Sequence, residues 1–340
     1  MGGFNMFLDI VLLIIGMVLL VKGADFFVSG SSCIARAMKI PPLVIGLTLV
    51  SMGTSAPEAS VSINGAINGM NDMSLGNVIG SNVFNTLFII GISSLIVPLA
   101  IGKDIKKYDM PIMVLIYGIL IVFSFLITPF EIGRSEAIIM LAAFVGYTAL
   151  LVVRANRERK AVLAESGKGS HINGNGQLNN ANEKQDKKEK PIWLNIIFAI
   201  GGLAGIILGG DMVVDNAADI ATALGMSEKL VGLTIVAVGT SLPELVTSVV
   251  ASIKKENDIA LGNVIGSNIF NVILILGLSA TIAPISLHFS ELVDMAALFV
   301  SGILITAIAL FSKKAKTTRS QGAFLVLTYI GYLVYIIIRN

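Results

Sequence analysis

Long apolar runs recur along the chain, divided by short polar stretches, and ten can be marked. The first five cover residues 7–29, 42–68, 75–99, 110–129 and 135–153. The second five cover 193–213, 227–253, 259–284, 292–311 and 322–338. A helix needs about 20 apolar residues to cross a bilayer, so the pattern predicts ten membrane-spanning helices. Between the two sets, residues 154–190 are rich in Lys, Glu, Asn and Gly and carry no apolar period. That composition predicts a solvated, disordered linker. The expected division is therefore 1–153, the linker 154–190, and 191–340.

Composition agrees with the pattern. Of 340 residues, 55% are hydrophobic and 14% charged, with a mean hydropathy of +0.85, where a soluble domain carries nearer a quarter charged residues. The first apolar run lacks a basic segment before it, so it reads as a membrane span and not as a secretory signal. The single cysteine, Cys33, allows neither an internal disulfide nor a thiolate metal cluster; it reads as a small apolar filler.

Charge distribution adds an orientation. With the N-terminus outside and loops assigned alternately, loops on the inner side hold twenty Lys and Arg residues. The outer side holds only Arg134, Lys229 and Arg339, and Lys22 lies within the first span. This asymmetry predicts both termini outside and the linker in the cytoplasm. Five spans per half is an odd number, so the two halves are expected to lie upside down relative to each other.

The halves are also related in detail. Gly53-Thr54-Ser55-Ala56-Pro57-Glu58 returns 186 positions later as Gly239-Thr240-Ser241-Leu242-Pro243-Glu244. Leu75 to Asn85 returns at the same offset as Leu261 to Asn271, with only Val83 and Ile269 differing. Self-similarity at one fixed spacing marks a duplicated unit, and inverted repeats often frame a transport site at the membrane midplane.

Within each copy, Pro57 or Pro243 removes a backbone donor and crowds the carbonyl four residues earlier. A broken helix is tolerated in lipid only where protein or a water-filled cavity covers it. The carbonyls freed around Ser51 to Thr54, and around Ala237 to Thr240, become candidate cation ligands. On a helix, Ser51, Ser55, Glu58 and Ser62 share one face. The second copy repeats this with Ser241, Glu244 and Ser248, Ala237 replacing serine. The following helix supplies Asn77, Ser81 and Asn85, and its copy Asn263, Ser267 and Asn271. Facing stripes of this kind form a cage of oxygens suited to hard cations such as Na⁺ and Ca²⁺. Proline kinks and small-residue packing account for one such copy. They do not account for two matched carboxylates inside the membrane, which are functional by default.

Other groups fit plainer roles. Asp25 and Asp211 also match at the 186 offset and read as helix-end braces more than cation attractors. His171 falls in the linker and His288 in an outer loop, so neither reads as a ligand. The glycine pairs Gly201-Gly202 and Gly209-Gly210 lie in a span and not after a strand, so no nucleotide loop is implied. No histidine lies within a span to activate a serine, which argues against an intramembrane hydrolase and for a non-enzyme.

The doubled motifs resemble those of the calcium/cation antiporter superfamily, above all its prokaryotic sodium/calcium exchangers, across both halves. The resemblance implies ten transmembrane helices as two inverted five-helix repeats. The second, third, seventh and eighth helices would form the ion-binding core, with the first and sixth sliding across it. It further implies Glu58 and Glu244 as central calcium ligands, aided by the Thr54 and Thr240 carbonyls. Ser55, Ser81, Ser241 and Ser267, with carbonyls near Ser51 and Ala237, would complete flanking sodium sites. Asn85 matches the family pattern, whereas Asn271 departs from an aspartate common among calcium-transporting relatives. The implied activity is sodium-for-calcium exchange in a multi-pass plasma membrane protein, a prokaryotic inner or cell membrane being the fitting one. The expected partners are the two ions and the lipid bilayer, with no cofactor, nucleic acid or obligate protein partner. A proton/cation antiporter of the same fold and an uncoupled cation channel are the alternatives.

Overall fold

The computed structural model describes residues 2–168, 191–226, 235, 237–312 and 316–339. The linker residues 169–190, with His171, and the first part of the seventh apolar segment, with Lys229, lie outside the described residues.

The chain is mostly helical. Among the described residues eight helices are long and apolar enough to cross a membrane. The two expected segments missing from that set are the ones carrying the duplicated prolines. In the first, α2 (Pro42–Thr54) stops at Ser55, and α3 (Ala56–Ile67) starts after it. In the second, the helical turn Ala237–Gly239 is followed by α8 (Leu242–Ile253). Ser55 (φ −82°, ψ 9°) and Ser241 (φ −91°, ψ 5°) interrupt their helices with nearly the same backbone angles. Pro57 and Pro243 then fall in the first turn of α3 and α8, where a missing N–H costs least.

Helices α1 (Gly2–Met38) and α7 (Ile192–Ala223) pack along each other. Gly16, Gly23 and Gly30 recur every seven residues, two helical turns, and meet the α7 backbone at Gly209, Gly202 and Asn195–Ala199, respectively. A Cβ built on Gly23 would lie 2.7 Å from the Gly202 carbonyl oxygen, and one on Gly209 would lie 2.5 Å from the Leu20 nitrogen. Only glycine permits so close an approach of two backbones. The opposite faces, with Ile14, Val18, Ile200 and Leu208, are exposed, as lipid-facing side chains must be.

The interior belongs to α4 (Met73–Ile96) and α9 (Asn257–Ile282), which are buried over most of their lengths. Each contains a wide π-helical stretch, Phe84–Ile89 and Asn271–Leu276, of the kind that often sits at functional positions. Around them pack α5 (Ile105–Ile127), α6 (Arg134–Lys168), α10 (Phe289–Phe311) and α11 (Arg319–Arg339). A two-stranded pairing joins β1 (Glu131–Ile132) to β2 (Ile285–Ser286), and Ala100 pairs with Lys316 elsewhere.

Ion pairs fix helix ends in a repeated pattern. Arg154 grips Asp109 through both guanidinium nitrogens, at 2.7 and 3.2 Å, and the Tyr147 hydroxyl donates to the same carboxylate. Arg339, Asp294 and Tyr332 form the same arrangement with identical sequence separations. Asp25 pairs with Lys254 at 2.6 Å, tying α1 to the end of α8, so its observed contact is that of a brace. His288 caps the start of α10 in a capping box with Glu291.

One expected boundary moves. Helix α6 does not end at 153 but continues to Lys168, into the stretch expected to be disordered. Residues 154–166 contain neither Gly nor Pro and are rich in helix-forming Arg, Lys, Glu, Ala and Leu. Arg154, the first residue assigned to the linker, is anchored to Asp109.

Candidate functional site

The two helix breaks meet in the interior, where their polar groups pair crosswise. The Ser55 hydroxyl donates to Glu244 Oε1 at 2.8 Å, and the Ser241 hydroxyl donates to Glu58 Oε1 at 3.0 Å. Each serine thus bonds the carboxylate of the other half. From α4, Ser81 reaches the same Glu58 oxygen at 3.5 Å. From α9, Ser267 reaches Glu244 Oε1 at 3.4 Å and the Ser51 carbonyl at 3.3 Å. Both glutamates are fully buried, and the second oxygen of each, Oε2, has no hydrogen-bond partner among the described residues. Such unmet acceptors are costly in a low-dielectric interior. Two of them in one centre make a strong oxygen-donor set for a hard cation.

Other asparagines support the breaks. The Asn77 amide donates to the Glu58 backbone carbonyl at 3.2 Å and to Ser62 at 2.9 Å. Asn263 repeats these bonds to Glu244 and Ser248 at 3.3 and 2.9 Å. Their side-chain oxygens accept the hydroxyls of Thr240 and Thr54, respectively. Asn77 and Asn263, expected as cage oxygens, are therefore braces holding each broken helix to the helix that follows it and to the other half. The threonine hydroxyls are occupied in this way; the hydroxyl of Thr54 also touches the Ser51 carbonyl at 3.3 Å.

The structure brings Glu58, Glu244, Ser55, Ser241, Ser81 and Ser267 into one cluster, with the Ser51 carbonyl at its edge. Ala237 lies in the helical turn that precedes the second break. Asn85 and Asn271 are buried one turn beyond Ser81 and Ser267. They are not equivalent. The Asn271 amide donates to Asn82 Oδ1 at 2.9 Å, whereas neither polar atom of the Asn85 amide has a partner among the described residues. Among the described residues, no group of three or more His, Cys, Asp or Glu is placed to hold a metal ion, so the centre carries two carboxylates.

Sequence reasoning missed Asn82 and Asn268. Asn82 donates to the Asn268 carbonyl at 2.9 Å, and Asn268 donates to Thr86 at 2.7 Å. Both lie within the duplicated stretch, but one position off the stripe of Asn77, Ser81 and Asn85.

A cavity of about 320 Å³ lies beside the two helix breaks. Pro57, Ser60, Thr240 and Pro243 line it from the two breaks, and Asp211 and Asp215 line it from α7. Asp211 thus lines this cavity, while its counterpart Asp25 is neutralised by Lys254.

Apolar helices enclosing a buried pair of serine-bonded carboxylates on two broken helices define a multi-pass membrane protein. The chain matches the family model for sodium/calcium exchanger protein over residues 8–153 and 194–338, and it belongs to that family. It is 33% identical over 347 residues to sodium/calcium exchanger MaX1 of Methanosarcina acetivorans, covering 96% of this chain and 97% of that protein. It is 36% identical over 279 residues to inner membrane protein YrbG of Escherichia coli, covering 82% and 81%. The fold is similar to that of the sodium-calcium exchanger NCX_Mj soaked with zero Na⁺ and Ca²⁺. The TM-score is 0.78 at 29% identity, covering 97% of this chain and 99% of that one. The family is one of membrane transporters, and membership together with this fold supports cation antiport, calcium among the cations.

Proposed function

We propose that the chain is an electrogenic secondary antiporter exchanging sodium for calcium by alternating access at a midplane site. Glu58 and Glu244 bind calcium, with the Thr54 and Thr240 carbonyls. Ser55, Ser81, Ser241 and Ser267, with the carbonyls at Ser51 and Ala237 and the amides of Asn85 and Asn271, complete the sodium sites. The observation that carries this reading is the crosswise pair Ser55–Glu244 and Ser241–Glu58, with one unpaired oxygen on each buried carboxylate. Two carboxylates neutralise one Ca²⁺ but only two Na⁺ of the three the family resemblance leads one to expect. The two loads exclude each other through charge and shared ligands, as coupled exchange requires.

In this reading the ten apolar segments form two inverted five-helix units, 1–153 and 191–340, in the plasma membrane. Both termini are outside, and 154–190 connects the units in the cytoplasm. Repetition of the break, the serine–glutamate bonds and the Asp–Arg–Tyr clamp supports the relation between the units. The glycine-lined contact of α1 and α7 gives a smooth pair able to slide across the core. The cavity beside Asp211 and Asp215 is then the approach from outside.

The test is calcium uptake into proteoliposomes loaded with sodium and diluted into sodium-free buffer. Uptake that needs internal sodium and disappears with a sodium ionophore is the expected result. Uptake driven by a proton gradient and indifferent to sodium overturns the reading in favour of proton/cation exchange. Calcium current without any counter-ion overturns it in favour of a channel.

A further inference from the structure

The buried asparagines behind the carboxylates break the symmetry of the two halves. Asn82 and Asn268 are counterparts at the 186 offset, as are Asn85 and Asn271. If the halves were equivalent, Asn82 would hold Asn271 and Asn268 would hold Asn85. Only the first happens: Asn271 Nδ2 donates to Asn82 Oδ1 at 2.9 Å. Asn268 turns instead to Thr86 Oγ1, at 2.7 Å. The counterpart of Thr86 is Val272, which offers no hydroxyl, so Asn82 has no matching acceptor in the other half.

The direction of the Asn82 amide is fixed at both ends. Its Nδ2 donates to the Asn268 carbonyl at 2.9 Å, so its Oδ1 is the atom left to accept from Asn271. An amide has one acceptor oxygen and one donor nitrogen. With the nitrogen of Asn271 committed to Asn82, its oxygen is the free end, and Oδ1 is buried with no partner among the described residues. Asn271 lies one turn beyond Ser267, which contacts Glu244.

We propose that Asn82 is the positioning residue that holds the Asn271 amide with its oxygen turned to the transported cation, while Asn85 is left free to adapt. This rests on the assignment of Glu58, Glu244 and Asn271 to the cation site. It makes position 271 a neutral, pre-oriented ligand from one half and position 85 an uncommitted one from the other. Pre-orientation raises affinity because no rotamer has to be fixed when the ion binds.

The experiment is the calcium- and sodium-dependent rise in melting temperature of the purified full-length protein in detergent, which reports binding whether or not transport is coupled. Asn82→Leu and Asn271→Leu are each expected to weaken calcium binding roughly 3- to 10-fold, the range for one hydrogen bond. The double variant is expected to bind no more weakly than Asn271→Leu alone, because Asn82 acts through Asn271. Asn82→Asp keeps the acceptor toward Asn271 and loses the donor toward Asn268, so it is expected to bind calcium at least as tightly as the parent. A merely structural role for Asn82 gives the opposite result for Asn82→Asp, and an additive loss in the double variant. Either result overturns the inference. So does parental binding in Asn82→Leu, while loss of the calcium shift in Glu58→Gln in the same series leaves the site assignment standing. If neither ion shifts the melting of the parent, the site assignment falls and this inference with it.

Discussion

Two adjacent glycines of α7 provide a contrast worked directly from the packing. A Cβ on Gly202 would lie 2.5 Å from the Phe27 nitrogen, 2.6 Å from the Gly23 carbonyl oxygen and 2.9 Å from the Phe27 Cα. All three are backbone atoms of α1, so none can swing away. Normal carbon contacts are about 3.5–4.0 Å, and Gly202→Ala therefore requires the two helices to separate by about 1 Å. Overpacking of this kind costs about 1–3 kcal/mol, and it widens the α1–α7 pair that is proposed to slide across the core. A Cβ on Gly201 meets nothing within 4 Å. Gly201→Ala removes a poor helix former at an exposed site and is expected to be neutral or to stabilise by up to about 1 kcal/mol. The assay is thermal unfolding of both purified variants in detergent, followed by sodium-driven calcium uptake after reconstitution. Gly202→Ala should melt lower than the parent and transport more slowly, and Gly201→Ala should do neither. Equal melting temperatures and equal flux in the two variants would refute the packing argument.

Three further outcomes follow from individual contacts. Asp109→Asn strands Arg154, whose partner carboxylate is fully buried. Breaking a buried pair from one side costs about 3–5 kcal/mol, so a large drop in melting temperature is expected, and one under a degree would contradict it. Asn271→Asp adds a titratable group beside the carboxylates and is expected to keep transport but change ion affinity or proton sensitivity. A pH profile and ion affinities matching the parent would contradict that. Lys254→Met breaks a partly exposed pair with Asp25 and should shift stability by no more than about 1 kcal/mol, a shift measurable by the same melting assay.

Much of this architecture is written in local chemistry, and local chemistry is what a sequence displays. The apolar runs mark the helices. The prolines at 57 and 243, with glycines four residues earlier, mark the breaks observed at Ser55 and Ser241. Duplication marks most of the polar positions the structure gathers, because equivalent residues recur at one offset. The remaining features depend on contacts between distant residues that no periodicity encodes. Asn77 and Asn263 read as cage oxygens because they share a stripe with serines, yet their amides are spent on the backbone of the broken helices. Asn82 lies off that stripe, and its importance comes from α9 crossing it. The different surroundings of Asn85 and Asn271 trace to Thr86 facing Asn268, which a comparison of the two halves shows only as one substitution among many. Helix α6 overruns its apolar segment on helix-forming polar residues, and a contact there that the sequence does not display is Arg154 on Asp109, 45 residues away.

The central claim is that Glu58 and Glu244 together form one exchange site. Sodium-driven calcium uptake should be measured in proteoliposomes bearing the parent, Glu58→Gln and Glu244→Gln, with folded protein verified in each. The crosswise serine bonds predict that each substitution alone abolishes uptake, since either amide leaves a single carboxylate to face a divalent ion. Near-parental uptake in either variant would contradict the claim.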